Sequence, residues 1–431
     1  MEEREIALRA LNDITEKKLF ASFVLDKTFE KYSFLDKRGR AFVTRLVEGT
    51  LERMIFLDYA INGVSKTPTV SMDSCILNIL RLGAYQIFFM DKVPEHSAVN
   101  ESVELAKKMN KKSLSGFVNG VLRSLVRKKD GIKFPDKKKN PAGYISAKYS
   151  FPKWMVKKII KTYGKEDTEK MLSAMLEDKP LSLRVNTLKT DAESLRATFE
   201  SMGMTCKKST LASDVLILED AGNLTDTKEF KDGLFYIQDV SSAAASEYYN
   251  IKSGMKVLDV CSSPGGKSIC AYLLMNGEGS IISRDVSEDK IRRIKENTER
   301  LGLSGITAMV WDATRFNEED AEKYDLVIAD LPCSGLGVMG RKTDIKYHVS
   351  KESVEELITL QRKILSVVNK YVRSGGYLIY STCTLNAEEN EENAKWIEEN
   401  LPFYKEDEKL FVPGMSEEYC DGFYVARFKK W

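Results

Sequence analysis

Apolar side chains recur at three- and four-residue steps through the early part of the chain. Val43, Leu46, Val47, Leu51, Met54, Leu57 and Ile61 make one stripe, and Ile76, Ile79, Leu80, Gly83 and Ile87 a second. Phe117, Val118, Val121, Leu122 and Leu125 make a third. A 3.6-residue period puts each set on one helix face. Strand-like alternation is absent, so the pattern predicts an all-helical domain over residues 1–135.

The rhythm then breaks. RKKDGIKFPDKKKNPAGY, between Arg127 and Pro152, is rich in Lys, Gly and Pro and predicts a linker. A helix is expected near 153–177, and the alternating PLSLRVNTLK predicts a strand; together they predict a small α/β subdomain over 145–233. From Tyr236 short apolar runs alternate with helical stretches: MKVLDVC, GSIISRDV, ITAMVWDA, YDLVIADLPC and GGYLIYSTCT. Strands separated by helices imply βαβ units and a largely parallel sheet, in a third domain over 234–431. The final DGFYVARFKKW predicts one more strand at the sheet edge.

Composition narrows the chemistry. No apolar run approaches the ~20 residues of a membrane-spanning helix. MEEREIALRALND is acidic and amphipathic, without the basic start or apolar core of a secretion signal, so a cytoplasmic location is expected. Seven cysteines (75, 206, 261, 270, 333, 383 and 420) are an odd number without a CxxC pair, which argues against a disulfide framework and a structural zinc site. With only His96 and His348, no metal is expected. The net charge of +2 hides two basic runs, 123–139 with eight Lys/Arg against two Asp and 148–161 with five Lys and no acid. These favour an anionic partner such as nucleic acid over a merely solvated face. Nothing in the chain points to an obligate oligomer.

In a doubly wound sheet, ligands bind where strands end. The strand Lys256–Val260 runs into Cys261, Ser262, Ser263, Pro264, Gly265, Gly266 and Lys267, small residues that let backbone approach a ligand. Asp285, twenty residues after Gly265, ends the second strand, where a carboxylate can hydrogen-bond a ribose diol. Asp312 ends the third and Asp330 the fourth. Gly266-Lys267-Ser268 matches the tail of a phosphate-binding loop, but Cys261 stands where that loop needs glycine, and the GxGxxG of a nicotinamide site is missing. A nucleoside cofactor without a long phosphate chain fits better.

Cys333 follows the fourth strand in Ala-Asp-Leu-Pro-Cys-Ser-Gly, and Cys383 the fifth in Tyr-Ser-Thr-Cys-Thr. Buried cysteine is normally an inert small hydrophobe, the reading for Cys75, Cys206, Cys270 and Cys420. Cys333 and Cys383 instead occupy loop positions at neighbouring strand ends.

DVCSSPGGKS, DLPCSGLGVMGRKTDIKY and YSTCTLNAEENEE resemble, in order and spacing, the motifs of the RNA cytosine-5 methyltransferases. RLGAYQIFFMDKVPEHSAVNESVELAKK and FVNGVLRSLVRK resemble the RNA-binding domain of NusB-like antitermination proteins. The fusion is similar to the bacterial 16S ribosomal RNA methyltransferases of the Sun or Fmu type, with LRVNTLK and YIQDVSS matching in between. The departures are Ser262-Ser263 for Ala-Ala and Thr384 for Ser, each still small.

The resemblance implies a NusB-like helical domain, a small α/β RNA-binding subdomain and a Rossmann-like domain with a mostly parallel seven-stranded sheet. It implies S-adenosylmethionine as cofactor, held by residues 261–267, Asp285, Asp312 and Asp330, and a cytosine of 16S ribosomal RNA as substrate. It assigns the nucleophile to Cys383 and product release to Cys333, with Asp330 at the base edge and Lys267 steadying that carboxylate or a thiolate. DNA cytosine-5 methyltransferases use the Pro-Cys cysteine, here Cys333, but leave the Ser-Thr-Cys-Thr motif without a place. His96 and Asn100 are expected near the RNA-contacting surface, and His348 in an ordinary loop or near a helix cap. The alternatives are an rRNA-binding or assembly factor whose methyltransferase fold is inactive, which both thiols speak against, and an NTPase, which Cys261 speaks against.

Overall fold

The computed structural model describes residues 2–219 and 221–431. Two compact units divide the chain: Met1–Leu176 with Arg341–His348, and Glu177–Gly340 with Val349–Trp431.

The first unit is helical. Its longest helix, Lys37–Asn62, starts where the Asp36 carboxylate accepts a hydrogen bond from Gly39 N at 2.7 Å, supplying one of the donors' missing partners. Of the expected stripe, Val43, Leu46, Val47, Leu51, Leu57 and Ile61 are buried along it, and Met54 is half-buried. Gly49 lets the helix Ser74–Phe89 pass close, because a Cβ there would stand 2.0 Å from the Tyr85 hydroxyl. The predicted linker is partly helical, with a helix over Pro141–Tyr149. Asn140 caps that helix through Gly143 N, and Pro141 at its first position pre-sets the helical φ, so a composition typical of loops here marks a helix start. The helix expected near 153–177 is two, Lys153–Tyr163 and Lys165–Ala174, broken at Gly164, whose φ is +79°.

Arg341–His348 belongs to this helical unit. Lys346, 2% exposed, donates to the carbonyls of Glu52 at 2.6 Å and Ser150 at 2.7 Å. The Tyr347 hydroxyl donates to Leu51 O at 2.8 Å, and the Asp344 carboxylate accepts from Ala21 N at 2.6 Å. Among the described residues, no helix is long and apolar enough to cross a membrane.

The second unit contains two sheets. Strands β1 (Leu181–Val185), β2 (Thr205–Lys208), β3 (Val215–Glu219) and β4 (Phe235–Ile237) form an antiparallel sheet in the order β2-β3-β1-β4. The LRVNTLK motif ties it down from within: buried Arg184 donates to Ser246 Oγ at 2.8 Å, and Asn186 Nδ2 donates to Gly233 O and Leu301 O.

The larger sheet is built from β5 (Lys256–Asp259), β6 (Ser280–Asp285), β7 (Ile306–Val310), β8 (Tyr324–Asp330), β9 (Val372–Thr382), β10 (Phe403–Phe411) and β11 (Phe423–Lys430). Its order is β10-β11-β9-β8-β5-β6-β7. β9, β8, β5, β6 and β7 run parallel, and β11 and β10 are antiparallel additions. The last strand, expected at the edge, lies inside: β11 separates β9 from β10. Its FYVARF core is buried on both faces, whereas β10 reads FYKEDEKLF and takes the edge, where charge discourages further pairing. Chain order reverses between β5 and β8, the crevice where such folds bind ligands.

Candidate active site

All the strand-end residues singled out by sequence lie at the carboxyl edge of the five parallel strands. After β5 the chain turns through Cys261–Gly265, with Gly265 at φ +104°, a conformation that favours glycine, and enters the helix Gly266–Leu274. A chain of hydroxyls braces the turn: Ser262 Oγ meets Ser268 Oγ at 2.9 Å, and Ser268 Oγ donates to Asp259 Oδ2 at 2.7 Å. Asp285, 4% exposed, accepts from Ser263 N at 3.0 Å and from Val286 N and Lys290 Nζ on its other oxygen. Asp312 lies two residues beyond β7 rather than at its end, and its side chain is 41% exposed. Hydrogen bonds from Thr314 N and Oγ1 hold its carboxyl below the usual range. Burial pushes the Cys261 thiol far up, with Asp285, Asp259 and Asp330 adding to it, so this cysteine is a poor nucleophile.

The loop suits a cationic nucleoside. Asp259 Oδ1 is buried with no hydrogen-bond partner among the described residues, and burial pushes the carboxyl up to about 7. Asp285 Oδ2, which accepts one hydrogen bond from Ser263 N, keeps one acceptor site for a ribose hydroxyl. Asp259, Asp285 and Asp330 outnumber Lys267 and Lys290 around the loop, a balance that disfavours a polyphosphate and suits a ligand that carries positive charge and a ribose.

On β8 and β9 the reactive groups converge. The Cys333 and Cys383 sulfurs are 3.2 Å apart, both free thiols and both partly exposed. Lys267 Nζ forms an ion pair with Asp330 Oδ2 at 2.6 Å, each side chain 20% exposed. Asp330 Oδ1 accepts from Ser381 Oγ at 2.9 Å. Burial works against charge on Lys267, but Asp330 and then Cys383 outweigh it and raise its pKa above the ordinary lysine value. The hydrogen bond to Cys383, then burial, hold the Cys333 thiol well above the usual range. Cys383 interacts electrostatically with Lys267, a cation of the kind that favours a thiolate.

Comparison with known proteins follows the same division of the chain. The family description 16S rRNA methyltransferase RsmB/F matches residues 248–429, NusB family matches 1–127, and the RsmF/B-like ferredoxin-like domain matches 151–225. The probable ribosomal RNA small subunit methyltransferase B of Bacillus subtilis is 36% identical over 90% of this chain and 86% of its own length. Its Synechocystis counterpart is 30% identical over 99% of both. The chain belongs to the 16S rRNA methyltransferase RsmB/F family.

Members of this family methylate ribosomal RNA with S-adenosylmethionine, and the chain is such a methyltransferase. Among solved structures, PH0851 superimposes with a TM-score of 0.80 at 23% identity, covering 99% of each chain, which establishes the shared fold. A methyltransferase homologue from Pyrococcus horikoshii gives a TM-score of 0.59 at 26% identity, over 67% of this chain and 98% of that one.

Two carboxylates in this methyltransferase escaped the sequence reading. Asp259 lay within an apolar strand and showed no polar signal. Glu389 lay within the motif YSTCTLNAEENEE among other acids and was not singled out, yet it is fully buried. Gly337 was also missed: its N–H donates to Cys383 O at 3.0 Å, and its Cβ would stand 2.0 Å from Gly422 O. His96 and Asn100 are on the helical unit, lining a cavity of about 520 Å³ with Arg123 and Arg127. His348, expected in a loop or near a helix cap, ends a short helix over Ile345–His348 and packs on the Phe20 ring at 4.4 Å.

Proposed function

We propose that the enzyme methylates carbon 5 of a cytosine in 16S ribosomal RNA through a covalent Cys383 adduct. The observation that carries this reading is the 3.2 Å approach of two free thiols at the ends of adjacent parallel strands. S-adenosylmethionine, when bound, supplies an electrophilic methyl group on its sulfonium. Residues 261–267 hold it, with Asp285 at the ribose and Asp312 and Asp330 beside it.

Carbon 5 of cytosine is a weak nucleophile until the ring's conjugation is broken. The Cys383 thiolate adds to carbon 6, forming an S–C6 bond and moving the electron pair of the C5–C6 double bond toward carbon 5. Covalent catalysis thus splits one hard step into two easier ones. Asp330, held by Lys267 and Ser381, hydrogen-bonds the base edge and favours addition. Methyl transfer to carbon 5 leaves the cofactor as its neutral thioether. Carbon 5 then gives its proton to a base such as water, the double bond re-forms, and the Cys383 sulfur leaves as a thiolate, with Cys333 assisting release. The base must leave its stack to reach these groups, which an unpaired loop cytosine does at least cost. The basic runs 123–139 and 148–161 hold RNA phosphates, with His96 and Asn100 near that contact.

The test uses Cys383→Ala, Cys333→Ala and the unmutated enzyme with 16S rRNA and radiolabelled cofactor. Methyl transfer and RNA adducts that survive denaturation are both scored. Loss of transfer in Cys383→Ala with a trapped adduct in Cys333→Ala is the expected result. An inactive, adduct-free Cys333→Ala beside an active Cys383→Ala reverses the roles.

A further inference from the structure

Below the two thiols lies a carboxylate with no part in the chemistry above. Glu389 is fully buried, yet four donors converge on it. Ser334 N donates to Oε1 at 2.9 Å and Gln361 Nε2 at 3.1 Å, while Ser334 Oγ and Asn386 Nδ2 donate to Oε2. A buried carboxylate is tolerated only when its lone pairs are satisfied in this way.

The partners belong to both cysteine loops. Ser334 directly follows Cys333, and its hydroxyl meets Thr384 Oγ1, directly after Cys383, at 2.8 Å. Gln361 also donates to Pro332 O, directly before Cys333, at 2.8 Å. Asn386 N donates to Thr384 Oγ1, and Asn390 Nδ2 donates to Thr384 O at 2.9 Å. Asn393 Nδ2 fixes Gln361 Oε1 at 2.7 Å, so the amide's orientation is set. One carboxylate therefore links the residues flanking both sulfurs.

We propose that Glu389 is the positioning residue that clamps the two cysteine loops together, setting the separation of the thiols and their division of labour. It touches neither substrate nor cofactor. Its negative charge adds to the forces that keep the proton on Cys333. The other charged or titratable groups around the thiols are Lys267 on the helix Gly266–Leu274, Asp330 on β8, Tyr380 on β9 and Arg362 on the helix Lys351–Val368. None of these bridges the two loops as Glu389 does. The proposal rests on the reading of Cys333 and Cys383 as a working pair.

The test follows iodoacetamide labelling of each cysteine by peptide mass spectrometry from pH 6 to 10, in the full-length enzyme and in Glu389→Gln. Glutamine keeps the shape but presents an amide to two of the donors. The expected result is a shift of at least tenfold in the Cys333-to-Cys383 labelling ratio, with the Cys333 profile moved to lower pH. Turnover should fall at least tenfold while the KM for cofactor is unchanged. A wild-type ratio and wild-type turnover in a folded Glu389→Gln enzyme overturn the proposal. If that variant does not fold, Ser334→Ala, which removes two hydroxyl links and leaves the carboxylate, decides: a smaller shift in the same direction supports the clamp, and an unchanged ratio overturns it. Labelling needs no methyl transfer, so an unmutated enzyme inactive on RNA refutes the functional reading while the clamp is still decided.

Discussion

Lys267 Nζ stands 2.6 Å from Asp330 Oδ2, an ion pair that joins the cofactor loop to the end of β8. Each partner is mostly buried, so neither keeps its charge cheaply without the other. Lys267→Met is expected to lower turnover roughly a hundredfold, equivalent to about 2.7 kcal/mol of barrier. It should also move Cys383 alkylation to higher pH, because the nearby cation favours the thiolate. Lys267→Arg, which keeps the charge, should retain part of both. Turnover and alkylation profiles on the same samples check this, and an unchanged Cys383 profile removes the electrostatic argument.

Asp285 is the carboxylate assigned to the cofactor's ribose. Hydrogen bonds to a charged group contribute about 1.5–3 kcal/mol. Asp285→Asn should therefore weaken S-adenosylmethionine binding by roughly ten- to a hundredfold in calorimetric titration, with RNA affinity unchanged. Equal affinity in variant and parent would mean the diol is read elsewhere.

Asp259 supplies a pH signature. Its carboxyl, pushed up to about 7 by burial, holds a proton in the folded state that the unfolded chain releases above about 4. Its contribution to stability is complete below about 4 and declines as pH rises toward 7. Asp259→Asn is neutral throughout, so its denaturation midpoint should gain on the parent's between pH 5 and 8. A constant difference across that range would contradict the assignment.

Lys346 tests the helical unit. Lys346→Met leaves the Glu52 and Ser150 carbonyls without this donor, at about 1–3 kcal/mol for each unsatisfied group. The first thermal transition should drop by about 5–10 °C. Scanning calorimetry of the full chain reads this directly, and a shift under one degree would show that water takes the lysine's place.

Much of this architecture was legible because period and chemistry coincide. The parallel strands β5 to β9 are apolar runs with a polar or reactive residue at or just beyond their ends, so topology and site came from the same residues. Where they conflict, reading failed. β10 has five charged residues in succession through most of its length and forms a strand by pairing with β11, information that is non-local. Asn140-Pro141 is turn chemistry in composition and cap chemistry in place. Gly164 broke one helix into two where the apolar pattern continued. Glu389 and Asp259 were hidden for opposite reasons, one among surface-like acids and the other among core-like aliphatics. Burial, not residue type, gives both their significance.

Arg341–His348 bears on how this gene can be rearranged. The helical unit's fold is written in two places, with its last stretch, Arg341–His348, lying in sequence between the two segments of the other unit. A crossover near residue 176 between two relatives would unite the helices of one parent with the Lys346–Tyr347 plug of the other. Recombinants should survive only where plug and socket still match, so the two parts of the gene are bound to be inherited and to diverge as one.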